Sequence, residues 1–179
     1  MTSTRQTLLD RAIAHVSRAG LSDVSLRELA AAIGSNHRML IYHFGSRDGL
    51  VAAIAATIEE HERARLTELA AHCSNPRELI ERQWQQLSDP AMAPFSRLFF
   101  EVLSLGLHGR PGTERFIESL TEPWLELGVA LSAKFGEPSS VADIRLGVAV
   151  LRGLLIDLLA SGDIDGVTAA LQAYLSRGY

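Results

Sequence analysis

A chain of 179 residues with 47% hydrophobic and 21% charged residues can bury a sizeable core and is too apolar to stay disordered. The single Cys73 excludes an internal disulfide. The N-terminal "MTSTRQTLLDRAIAH" has no apolar leader, and the longest apolar run, Leu146 to Ala160, is broken by Arg152 and Asp157; we therefore expect a cytoplasmic protein with no membrane span. The net charge of −4 argues against indiscriminate polyanion binding, yet residues 1–50 hold six arginines against four acids, and residues 51–179 hold eleven cations against seventeen acids. A cationic head on an acidic body suits a small polyanion-binding module attached to something else.

Leu8, Leu9, Ala12, Ile13, Val16 and Ala19 follow helical spacing, and Gly20 is the expected stop of this first helix. Ser25 and Glu28 form a capping box for a second helix that runs to Gly34. After a tight turn at Gly34 and Ser35, Asn36 is the N-cap of a short third helix that is seated by Leu40 and Phe44, four residues apart. Its other face is left open. Ser46 caps a fourth helix that continues through "EEHERARLTEL" to about Ala71.

Asn75, Pro76 and Glu78 start a fifth helix that ends near Asp89 and Pro90. A sixth covers about 92–107, where the cluster Gly106, Gly109, Pro111 and Gly112 breaks it. Thr113 starts a seventh, which Pro123 either kinks or restarts after Thr121 and Gly136 ends. Ser140 and Asp143 open a long eighth helix that stops at Gly162, and Asp163 or Asp165 caps a ninth through about Arg177. Nothing reads as a strand. The expectation is an all-α fold of about nine helices, with a three-helix N-terminal head joined through the fourth helix to a helical body.

The second helix, turn and third helix form a helix-turn-helix, whose second member can enter the DNA major groove. Arg38 offers the fork that pairs with guanine O6 and N7, Asn36 and His37 offer polar contacts from the helix start, and Ile41 suits a thymine methyl. Tyr42, His43 and Arg47 can donate to phosphates, Arg47 from the start of the fourth helix where free N–H groups also favour an anion. The competing view makes Asn36 a cap only, packs Tyr42 and His43 on the first helix, and leaves Arg47 a solvated charge.

These residues resemble a known pattern. From about Leu9 to Ala53, the helix ending at Gly20, "SLRELAAAIG" and "LIYHFGSRDGL" resemble the DNA-binding domain of the TetR family of bacterial transcription regulators. The match covers about a quarter of the chain, with turn, helix and following cap in register. It departs from the family pattern at Ile41, where an aromatic is usual, and at Arg38 and Met39, where a Gly-Thr pair is usual. The resemblance implies that Ser25 and Arg27 meet DNA backbone or base, that Arg5 in a short N-terminal arm reaches a phosphate, and that residues 1–50 are the DNA-binding domain. It also implies that residues 51–179 form a body that dimerises and encloses a small-molecule effector, which releases a palindromic double-stranded operator, as in a repressor.

Within that body the eighth helix is apolar on two sides, so that one side can meet the core and the other a partner. Leu151, Leu155 and Leu158, with Leu171 and Tyr174 of the ninth, are the expected homodimer contacts. Trp84, Phe99, Leu103, Phe116, Trp124 and Leu127 gather large apolar side chains into the fifth to seventh helices, as a pocket for an apolar or amphipathic ligand requires, although each suits plain core as well. Arg152 can anchor a ligand carboxylate or form a salt bridge. Arg97, Glu101, Ser104 and His108 read as the solvated face of the sixth helix.

No cofactor is implied. His72 with Cys73, and "EEHE" at 59–62, lack a second ligand pair at useful spacing, so no metal is expected. Two rivals stand beside the regulator. An enzyme would use His37, His43 or Glu62 as general base, but no nucleophile or oxyanion-type glycine loop accompanies them. A helical regulator whose effector is a protein would have the aromatic cluster filled, with no small-molecule pocket.

Overall fold

The computed structural model describes residues 4–19 and 25–177. Among these it contains ten α-helices, one 3-10 turn (Pro90–Met92) and no strand. The helices are α1 (Thr4–Ala19), α2 (Leu26–Ala32), α3 (His37–Phe44), α4 (Arg47–Ala70), α5 (Pro76–Leu87), α6 (Ala93–Leu107), α7 (Glu114–Ser119), α8 (Glu122–Lys134), α9 (Val141–Ser161) and α10 (Ile164–Leu175). The expected stop at Gly20 lies outside the described residues.

Local chemistry sets most of these boundaries. The Ser25 hydroxyl accepts from Glu28 N at 3.3 Å while Ser25 N donates to the Glu28 carboxylate at 2.8 Å, which closes the capping box of α2. Asn36 Oδ1 accepts from Met39 N at 3.0 Å, Asn75 Oδ1 from Glu78 N at 2.9 Å, Ser140 Oγ from Asp143 N at 3.2 Å and Asp163 Oδ1 from Gly166 N at 2.9 Å. Each satisfies an N–H that the helix cannot. Gly162, at φ +70°, ends α9 in the left-handed conformation that glycine adopts without strain.

Of the two outcomes open at Pro123, the helix restarts after Thr121: α7 stops at Ser119 and α8 starts at Glu122, because proline fits the first turn of a new helix but not the interior of an old one. That break gives ten α-helices in place of about nine. The Thr113 hydroxyl donates to Arg110 O at 2.6 Å and so makes no side-chain cap for α7.

The chain packs as two compact units, Met1–Glu60 with Pro94–Leu120, and His61–Ala93 with Thr121–Tyr179. The packing boundary therefore falls elsewhere than residue 50. In the first unit, Leu8, Ala12 and Val16 of α1, Leu29 of α2, Leu40 of α3 and Leu50 and Ile54 of α4 meet Leu98 and Val102 of α6 and Phe116 of α7 in one core. Residues 94–120 join the head because these three side chains complete that core. In the second unit one cluster joins Ala70, Leu79 and Leu131, and another joins Trp84 to Val167 and Leu171. Gly128 lets α8 approach α9: a Cβ there would lie 2.3 Å from Ile144 Cγ2.

The Glu28 carboxyl is held below the usual carboxylate range by hydrogen bonds from the Ser25 side chain and backbone. Because the folded pKa is depressed, this contribution to stability is present above the unfolded pKa and lost as pH falls through the folded one. Glu28→Gln should therefore lower the melting temperature at neutral pH, with the difference from wild type shrinking on acidification; a difference independent of pH would dissociate the box from the titration.

Among the described residues no helix is long and apolar enough to cross a membrane, and no three His, Cys, Asp or Glu side chains gather as a metal site would need.

Candidate nucleic-acid interface

Gly34, at φ +67°, turns the chain sharply between α2 and α3. Its N–H donates to Ala31 O and that of Ser35 to Ala30 O, so the end of α2 is closed before Asn36 opens α3. Leu40 and Phe44 are buried, which fixes the rotation of α3 and turns the opposite face outward. On that face His37, Arg38, Ile41 and Tyr42 are exposed, at spacings that place them side by side on a helix. Tyr42 is 80% exposed and Ile41 38%; neither serves the core of its own chain.

Asn36 is exposed and spends Oδ1 on its cap, which leaves the amide NH2 of the same group able to donate elsewhere. Ser25 and Arg27 are exposed at the start of α2. These seven side chains are the candidates that α2, the turn and α3 bring to the surface of the first unit.

Three expected contacts look different in the structure. His43 is half-buried, and its Nε2 is buried with no hydrogen-bond partner among the described residues; its ring stands edge-on to Tyr42 at 4.9 Å and to Phe44 at 6.3 Å. That nitrogen cannot donate to a phosphate from this position, because His43 lies on the inward side of α3 with Leu40 and Phe44. Arg5 is no free arm: it belongs to the first turn of α1 and lies over the Phe44 ring at 5.0 Å, a cation–π distance. Arg47 is half-buried and pairs with Glu101 of α6 at 3.5 Å. Arg97, Glu101, Ser104 and His108 are exposed, and this pairing of Glu101 is the part that helical spacing alone does not reveal.

The expected ligand residues fall into separate clusters. Phe116 is fully buried in the core of the first unit, edge-on to Phe99 at 5.6 Å, with Leu103 packed beside it. Trp84 is 2% exposed in the second unit, its Nε1 donating to Thr168 Oγ1 at 2.9 Å. Phe116 and Trp84 are core residues. Leu127 packs with Leu131 and Phe135, and the half-buried Trp124 lies under the Arg63 guanidinium at 5.7 Å. Arg152 is half-buried on α9. Phe99, Leu103 and Phe116 thus belong to the first unit, and Trp84, Trp124, Leu127 and Arg152 to the second.

The expected dimer residues are also turned inward. Leu171 is 1% exposed, and Leu151, Leu155, Leu158 and Tyr174 pack around it and Trp84. The opposite side of α9 carries Leu146, Ala149, Gly153, Ile156 and Ala160, all exposed and alternating four and three residues apart. That alternation, with small residues between Leu146 and Ile156, is the signal in the sequence that points to a helix partner.

Residues 8–54 match the model of bacterial regulatory proteins, tetR family. The HTH-type transcriptional regulator SrpR of Pseudomonas putida is 24% identical over 172 residues, which cover 89% of this chain and 75% of that protein. A crystal structure from Rhodococcus sp. RHA1 shares the fold with a TM-score of 0.76 at 19% identity, over 97% of this chain and 96% of that one. The multidrug binding protein EbrR, solved with imidazole, is 26% identical with a TM-score of 0.69, over 99% and 95% of the two chains.

Proposed function

We propose that the chain is a member of the tetR family of bacterial regulatory proteins, whose model residues 8–54 match, and that it is a homodimeric repressor that leaves a palindromic operator when a small apolar or amphipathic effector binds. The observation that carries the DNA-binding part is the outward face of α3, where His37, Arg38, Ile41 and Tyr42 are exposed opposite the buried Leu40 and Phe44. Arg38 reads a guanine, Ile41 meets a thymine methyl, and Asn36 and His37 make polar contacts to base edges. Tyr42 takes the phosphate role, and Ser25 and Arg27 meet backbone from α2, with Arg47 joining from α4.

A dimer through the exposed stripe of α9 would present two copies of α3 to half-sites about 34 to 36 Å apart or a multiple of that. Gly153 supports this reading. A glycine inside a helix weakens it by roughly 1 kcal/mol relative to alanine, and a Cβ at Gly153 would meet nothing of its own chain within 4 Å, so close approach by another chain is the physical use for it.

EbrR is a multidrug binding protein, which favours a small-molecule effector over a protein one. The half-buried Trp124, Leu127 and Arg152, and the half-buried Phe99 and Leu103, are the remaining candidates to meet it. For release, the effector must bind the DNA-free state more tightly than the DNA-bound one; operator DNA must then weaken effector binding by the same factor.

Gel-shift titration on a selected palindrome tests the reading of α3. Arg38→Ala should weaken specific binding by about 1 to 3 kcal/mol and relax the sequence requirement at one operator position. Equal losses on specific and random DNA would remove Arg38 from base reading. A set of hydrophobic compounds, followed through Trp124 fluorescence and operator release, tests the effector.

A further inference from the structure

The first turn of α4 is held by charges from later in the chain. Arg47 Nη1 lies 3.5 Å from Glu101 Oε1 of α6, with the two side chains 35% and 42% exposed. The next residue, Asp48, accepts from Arg110 Nη2 at 3.2 Å and Nε at 3.3 Å. Gly112, at φ +92°, brings the loop after α6 so close that a Cβ there would stand 2.8 Å from Gly49 Cα. All of these residues belong to the first unit. The residue proposed to meet a DNA phosphate is thus already engaged by a carboxylate.

A carboxylate and a phosphodiester present arginine with the same chemistry, a delocalised anion with oxygen acceptors. We infer that Glu101 is a positioning residue for DNA binding: it holds Arg47 in the free protein as an internal substitute for the phosphate, and DNA must displace it. This rests on the reading that Arg47 meets DNA. The pair is surface-exposed and therefore weak, so exchange is easy and no large barrier opposes binding. Its closure also depends on α6. A helix shift of about 1 to 2 Å is comparable with the slack in such a pair, so a conformation that draws α6 toward α4 sequesters Arg47 and one that separates them frees it.

The test is a double-mutant cycle in operator titrations with melting curves on each protein. Glu101→Gln preserves shape and removes the charge. It should bind DNA about two- to fivefold tighter, the range an exposed ion pair supports. Arg47→Ala should bind specific and random DNA more weakly alike and lower the salt slope by about one. In the Arg47→Ala background the gain from Glu101→Gln should vanish. If the gain persists there, Glu101 acts by plain repulsion of DNA and the competition is refuted. Glu101→Gln that binds no tighter than wild type, while Arg47→Ala still weakens binding, also overturns the role of Glu101 but leaves the phosphate contact standing. Arg47→Ala without effect on affinity or salt slope overturns the phosphate contact itself.

Discussion

Ile156→Asp should yield a folded monomer that no longer holds its operator. Ile156 is 53% exposed and Leu146 41%, both on the side of α9 that faces away from the cluster around Trp84 and Leu171. An aspartate at 156 therefore costs the isolated chain little. In a twofold dimer the same substitution enters the interface twice, and an uncompensated buried charge costs about 3 to 5 kcal/mol. Sedimentation should show a dimer become a monomer at micromolar concentration with helical content unchanged, and the operator should be lost because one head alone reaches one half-site. Leu171→Asp separates this from general damage: at 1% exposure it puts a charge into the core of the second unit and should lower the melting temperature. Gly153→Ala should slightly stabilise the monomer and weaken the dimer. A wild-type monomer at micromolar concentration, or Ile156→Asp still dimeric, would remove this face of α9 from the assembly.

The contrast between the two apolar sides of α9 shows where sequence reading stops. Helix starts were legible at Ser25, Asn36, Asn75, Ser140 and Asp163 because a cap bonds an N–H two or three residues away, and such chemistry needs no knowledge of the fold. The outward face of α3 followed from Leu40 and Phe44 for the same reason, since the helix is short and has only one apolar side. Along α9 both sides are apolar, and periodicity alone could not say which met Trp84. His43 adjoins exposed Tyr42 in sequence but lies about a quarter-turn further round the helix, so its half-burial beside Phe44 does not follow from its neighbour. Glu101 was legible as exposed, whereas its partner Arg47 lies 54 residues earlier, a separation that no local rule bridges.

Phe116→Ala should lower stability and DNA binding together, whatever it does to effector response. The ring is fully buried, edge-on to Phe99, in the core that also contains Leu40 of α3 and Leu50 of α4. Truncating a buried phenylalanine to alanine costs about 3 to 5 kcal/mol, part of it for the cavity left behind. For a protein of this size that corresponds to a fall in melting temperature of roughly 6 to 20 °C, a large share of the about 5 to 15 kcal/mol that holds a typical domain folded. Because α1 to α3 share this core with α6 and α7, the loss loosens the platform that orients Arg38 and Ile41, and operator affinity should fall near the melting range although residue 116 lies far from α3 in sequence. Phe116→Leu keeps most of the volume and should recover most of the stability. A pocket wall behaves in the opposite way: its removal leaves the melting temperature and DNA affinity near wild type and abolishes only the response to ligand. Trp124→Ala is the matched comparison, since Trp124 is half-buried and its loss leaves a smaller hole. If Phe116→Ala retains wild-type melting and operator affinity while losing effector response, the ring faces a ligand and not the core; if both variants melt early, Trp124 belongs to the core as well and the effector must be sought elsewhere.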